Sequence, residues 1–169
     1  MVFNVRPERP DDYDAIREVH ERAFAPRVQE ARIVEDLRAE GACVADLTFV
    51  ALWGDDVVGH VCISRAHVDS ALPVLVLGPM GVLPEFQRRG AGSALVRGAL
   101  GRAAKTDFPL VSVVGHSTYY PRFGFERAAG YGIVAPFELP SEAWMVYRLP
   151  AYRPEARGKV VYPDAFGEL

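Results

Sequence analysis

The sequence holds only two cysteines, Cys43 and Cys62. Their spacing fits neither a disulfide framework nor a metal-binding pair, and both read as reduced thiols among apolar neighbours. No run approaches the ~20 apolar residues needed to cross a bilayer. The first ten residues, MVFNVRPERP, hold no apolar core of signal-peptide length. A basic run is missing too: 19 Lys and Arg stand against 22 Asp and Glu, a net charge of −3. That offers no surface for tracking the phosphates of a nucleic acid. Repeats, low-complexity tracts and linkers are also missing. These absences lead to the expectation of a single domain over residues 1–169 in the cytoplasm, with no metal, membrane or nucleic-acid partner.

What is present suits a packed core, with 50% hydrophobic and 24% charged residues. A short strand opens the chain, and Pro10 suits a first helical turn with Asp11 and Asp12 at its positive end. Ile16, Val19, Ala23 and Phe24 recur at helical spacing until Pro26. A second helix spans about 29–40, with Gly41 fit for a left-handed cap. Residues 47–66 read as a hairpin turning at Gly54-Asp55-Asp56. A third extended run, 72–83, carries Gly78 and Pro79 inside it. Proline cannot donate to a ladder, so a bulge or a splayed strand is expected there. A helix over about 90–105, a buried strand over 109–115, a short helix near 118–123 and strands at 130–134 and 144–149 complete the order β-α-α-β-β-β-α-β-α-β-β. The fold class is α/β, a mixed sheet of the α+β kind.

The informative stretch is 77–100, LGPMGVLPEFQRRGAGSALVRGAL. An apolar strand runs into a Gly-containing turn and then directly into an amphipathic helix. The first N–H groups of a helix lack internal acceptors and carry partial positive charge. Gly90 and Gly92 admit a ligand close to the backbone, and Arg88 and Arg89 add charge. Such a turn suits a phosphate or diphosphate, although a bare Gly-x-Gly also serves as a tight helix entry. A P-loop is excluded because no lysine follows the glycines. The dinucleotide fingerprint is excluded because Leu95 stands where its third small residue belongs.

Gln87-Arg88-Arg89-Gly90-Ala91-Gly92 resembles the coenzyme-binding signature of the GNAT superfamily of N-acetyltransferases, Gln/Arg-x-x-Gly-x-Gly/Ala. Downstream, Tyr119-Tyr120-Pro121-Arg122-Phe123-Gly124-Phe125 is similar to that family's Tyr-x-x-x-Gly-Phe segment. The tail from Gly158 to Phe166 resembles the YhbS-like subgroup, so the resemblance covers essentially the whole chain. It implies the GNAT fold with splayed fourth and fifth strands, and acetyl-coenzyme A as acyl-donor co-substrate without a metal. It also implies transfer to the primary amine of a small molecule or peptide.

By position, the resemblance implies that the backbone of Arg88, Arg89, Gly90, Ala91, Gly92 and Ser93 grips the diphosphate. Met80, Gly81 and Val82 would lie along the pantetheine arm. Tyr120 would be the general acid for the departing sulfur; as a core aromatic it would only seek a polar partner. Tyr119 is the adjacent competitor, less well spaced from Gly124-Phe125. Glu85, His116 and His60 are candidate bases, and none is assigned; His60, inside a strand, suits a hydrogen-bonded sheet residue. The acceptor is expected near residues 24–29 and the last strands, which carry Phe137, Trp144 and Tyr147. The competing readings are an acyl-coenzyme A-binding regulatory module without turnover and a phosphate-binding interaction domain. An exposed sheet edge could pair two copies as a homodimer.

Overall fold

Two strand faces with different partners organise the molecule, shown here in a computed structural model that describes residues 1–69 and 71–167. The strands are β1 (Asn4–Pro7), β2 (Phe49–Trp53), β3 (Asp56–Val68), β4 (Pro73–Val82) and β5 (Leu110–Val114). The tail adds β6 (Glu126–Arg127), β7 (Ile133–Val134), β8 (Trp144–Arg148) and β9 (Gly158–Val161). Helices α1 (Tyr13–Ala23), α2 (Gln29–Ala39) and α3 (Ala91–Ala103) cover the sheet. The sheet order is β1-β2-β3-β4-β5-β8-β6, and β9 pairs with the far end of β3 and with β7. Neighbours run antiparallel except β4–β5 and β7–β9.

Side chains alternate across a strand, so adjacent residues enter different cores. Val61 and Ile63 of β3, with Leu75, Leu77, Val111 and Val113, meet Leu95, Val96 and Ala99 of α3. Cys62 faces the other way and packs with Ile16, Val34, Leu37 and Val50 under α1 and α2. The tail closes a third cluster around Val74, Val76, Leu110, Trp144 and Val160. Cys43 and Cys62 are free thiols, their sulfurs 3.9 Å apart.

The mixed sheet follows the expected order, with differences in the last third. The short helix is a 3-10 turn, Tyr120–Phe123, ended by Gly124 at φ 106°. A second 3-10 turn, Ala128–Tyr131, takes the first two residues of the expected strand at 130–134, and Gly132 at φ 69° leaves only Ile133–Val134 extended. Strands β6 and β9 had no alternation long enough to reveal them.

One polar network crosses the core. The His60 ring sits 2.9 Å from Glu8 Oε1 at its Nε2 and 2.8 Å from His20 Nε2 at its Nδ1. Arg38 Nη2 donates to Glu8 Oε1 at 2.8 Å. His60 is therefore a bonded sheet residue, as expected. Burial opposes ionisation of Glu8, but the hydrogen bonds from His60 and Arg38, with their charges, prevail and hold its carboxyl below the ordinary value.

Candidate functional site

Parallel pairing of β4 with β5 covers only Leu75–Val111 and Val76–Ser112. Yet β5 runs on to Val114 and β4 to Val82. The break begins where the sequence places Gly78-Pro79. Gly78 takes φ 132°, and the β3–β4 register slips opposite, between Val61 and Ile63. Beyond Val76 the β5-facing edge of β4 is thus free of the ladder, and backbone groups there are open to a ligand. The expected bulge and the expected parting are one feature.

At the end of this free edge, Gln87 Nε2 donates to Val82 O at 3.0 Å and ties the strand to the turn. Arg88 at φ 61° and Gly90 at φ 99° reverse the chain, and α3 starts at Ala91. The left-handed backbone at Gly90 favours glycine. No acidic side chain occupies the first turn of α3, so its positive end remains uncompensated.

A cleft of about 610 Å³ joins strand and turn. Met80, Gly81 and Val82 form one wall, and Arg88, Gly90, Gly92 and Ser93 form another. Phe24, Tyr119 and Arg122 also line it. The lining holds two arginines and no carboxylate, a charge balance suited to a diphosphate. Arg122 lies over the Tyr119 ring at 4.7 Å. A Cβ on Gly92 would lie 3.0 Å from the Tyr119 hydroxyl, so a bulkier residue would narrow the cleft. Ala91 is buried beneath the turn, and Arg89 reaches toward Met1 Sδ at 4.0 Å; the side chains of both lie outside the cleft.

The opening between β4 and β5 continues into a chamber of about 510 Å³. Leu77, Gly78, Pro79 and Met80 face Val114, Gly115 and His116 across it. Tyr120 lines this chamber and is only 8% exposed. Burial first, and then the neighbouring Tyr119, pushes its phenol up to about 12, which keeps the O–H on. The two tyrosines therefore separate: Tyr119 lines the cleft at the turn, and Tyr120 lines the chamber between the parted strands.

The three candidate bases also separate. His116 is exposed at the chamber wall. Glu85 is exposed and bound by Arg22 at 2.6 Å, whose hydrogen bond holds its carboxyl below the ordinary value. It lines neither the cleft nor the chamber. His60 is fully buried in the network above. Of the expected acceptor aromatics, Phe137 lines the chamber, Trp144 lies in the tail core, and Tyr147 packs against the α3 core. Sequence reasoning missed Glu30 in the chamber wall and Arg122 in the cleft. Arg122 could have been found, because it sits within the Tyr-to-Phe segment. Glu30 carried no local signal.

Among the described residues no helix is long and apolar enough to cross a membrane, and no group of three or more His, Cys, Asp or Glu could hold a metal ion.

The Acetyltransferase (GNAT) family model matches residues 13–125. An N-acetyltransferase of Escherichia coli K12, YjhQ, is 36% identical, over 94% of this chain and 92% of its own. The crystal structure of the Escherichia coli GNAT family N-acetyltransferase YhbS in complex with CoA superposes with TM-score 0.90 at 27% identity, covering 98% of this chain and 92% of that one. A GNAT family acetyltransferase of Brucella melitensis in complex with acetyl-CoA gives TM-score 0.80 at 30% identity, covering 98% of both chains.

Proposed function

The chain belongs to the GNAT family of N-acetyltransferases, and we propose that it moves an acetyl group from acetyl-coenzyme A to a primary amine by direct attack in a ternary complex. The parting of β4 from β5 beside the bare amino end of α3 carries this reading. Two solved relatives hold coenzyme A or acetyl-coenzyme A, and the arginine-flanked, carboxylate-free cleft fits such a polyanion. Residues 1–169 act as one domain in this reading, consistent with β9 joining the same sheet as β3.

The backbone N–H groups of Arg88 through Ser93 bind the diphosphate, with Arg88 and Arg122 beside it. Met80, Gly81 and Val82 pair their free edge with the pantetheine arm. When bound, the co-substrate would supply an activated acetyl carbon: the ammonium first gives one proton to water, the neutral nitrogen bonds to that carbon, the C–S bond breaks, and the second N–H proton also goes to water. A free N–H of the parted strand stabilises the charge that develops on the carbonyl oxygen.

Tyr120, the proposed general acid, presents its O–H to the departing sulfur. An ordinary thiol has a pKa of ~8.5, so complete proton transfer from a phenol at about 12 would run uphill by about 5 kcal/mol. Tyr120 therefore acts chiefly by donating a hydrogen bond to the thiolate, and water completes the protonation. A hydrogen bond to a charged group contributes about 1.5–3 kcal/mol.

The test is thiol release from acetyl-coenzyme A with an amine panel. Tyr120→Phe is expected to lower kcat about 10- to 100-fold while leaving acetyl-coenzyme A affinity within twofold. Tyr119→Phe should show the converse, a weaker hold on acetyl-coenzyme A with kcat nearly kept. Tight coenzyme binding without thiol release from any amine would instead support a regulatory module.

A further inference from the structure

The chamber beyond the parted strands is mostly apolar, and five phenylalanine and tyrosine rings from four segments line it: Phe24, Tyr120, Phe137, Tyr162 and Phe166. A single carboxylate, Glu30 in the first turn of α2, reaches the same wall. Its side chain is 15% exposed. Oε1 forms an ion pair with Arg27 Nη2 at 2.6 Å, and Arg27 itself is 62% exposed at the rim. Oε2 is buried and has no hydrogen-bond partner among the described residues. An unmade hydrogen bond on a buried charged oxygen is costly, so a donor that reaches Oε2 through the chamber wall would relieve that cost.

We propose that the chamber is the acceptor site and that it selects a small primary amine on an apolar or aromatic body, with Glu30 Oε2 receiving the ammonium. The proposal rests on reading the β4–β5 gap as the thioester site. An alkylamine is protonated at neutral pH and carries its charge into the chamber. There Oε2 accepts its hydrogen bond, and aromatic faces attract the same cation.

The remaining polar groups narrow the substrate class. Burial keeps the Tyr120 and Tyr162 phenols un-ionised, so neither adds a second anion. His116 is the other titratable side chain of the lining. A polyamine would bring further ammonium groups that find no carboxylate. An aminoglycoside or a peptide would bring hydroxyls or amides with too few partners along the apolar walls. The volume of about 510 Å³ lies within the range of small-molecule sites.

Calorimetric titration of the full chain, with and without coenzyme A, separates this proposal from the reading it rests on. The probes are 2-phenylethylamine, its neutral counterpart 2-phenylethanol, spermidine, kanamycin and an N-acetylated lysine peptide. The expected result is that 2-phenylethylamine binds at least tenfold tighter than each of the others. Glu30→Gln should weaken the amine tenfold or more, shrink its advantage over the alcohol, and leave coenzyme A affinity unchanged. Phe137→Ser, distant from the carboxylate's role, should weaken the amine and the alcohol alike. Equal amine affinity in Glu30→Gln, or tighter binding of spermidine, kanamycin or the peptide, would overturn the proposal. Failure of coenzyme A to bind would strike only the acetyltransfer reading, because the amine titrations report without it.

Discussion

Tyr120 holds its place because Gly115 has no side chain. A Cβ at Gly115 would lie 2.7 Å from Cδ2 of the Tyr120 ring, with Cε2 nearer still. The ring is wedged between the end of β5 and Phe125, whose centroid is 5.5 Å away, so it cannot step aside without losing core contacts. Gly115→Ala should therefore cost about 1–3 kcal/mol of stability, the range for overpacking a tight site, measurable by urea unfolding. It should also lower kcat on the folded protein about as much as Tyr120→Phe does. A variant that loses stability but keeps full kcat would mean that the phenol acts only as core. The same residue pair explains why the wedge could not be foreseen: Gly115 and Tyr120 are close in the chain, but nothing in either residue type announces which ring atom faces the glycine.

The α3 entry contains two glycines that matter for different reasons. Gly90 has a left-handed backbone at φ 99°, where a side chain costs about 1–2 kcal/mol. Gly92 has an ordinary φ but faces the cleft beneath the Tyr119 hydroxyl. Gly90→Ala should thus lower the melting temperature and weaken coenzyme A together. Gly92→Val should weaken coenzyme A at least tenfold with a much smaller change in melting temperature. Calorimetry and thermal melts on the same samples distinguish them, and equal loss of stability in both would contradict the assignment. This entry was legible in the sequence because strand, turn and helix follow one another within residues 77–100. Gly78-Pro79 likewise marked the parting of β4 before any pairing was known, because a missing N–H is a local fact. Strand β6 spans only two residues, too short for any periodicity to register. Glu30 was hidden for another reason: the gap it faces is formed by β4, β5 and the tail, all far along the chain.

The assembled molecule depends on contacts that span still longer distances in sequence. His20 and His60 are 40 residues apart, and Glu8 and His60 are 52 apart. Together with Arg38 they join the end of β1, α1, α2 and β3 in one buried array. Glu8→Gln would leave the Arg38 guanidinium, 14% exposed, without its counter-charge. Breaking one side of a buried pair costs about 3–5 kcal/mol, and the loss should appear in urea unfolding at pH 8. The histidines set a second, pH-dependent effect. Burial, then the neighbouring His60 and Arg38 charges, holds His20 well below its ordinary 6.5. Burial also lowers His60, against the opposing pull of Glu8. Below about pH 6.5 the unfolded chain takes up protons that the folded chain refuses, so stability must fall as pH drops. Each histidine can contribute a slope of at most about 1.4 kcal/mol per pH unit. Glu8 acts in the same direction lower down. Its folded carboxyl titrates below 4.5, so its contribution is complete above that value and is lost as pH falls through the folded pKa. Unfolding free energies measured from pH 8 to pH 4 should stay level down to about 7 and then decline in the histidine window before the carboxylate limb begins. A curve that stays flat to pH 5 would mean that His20 and His60 accept protons in the folded state, and the neutral histidine chain from α1 to Glu8 would have to be abandoned.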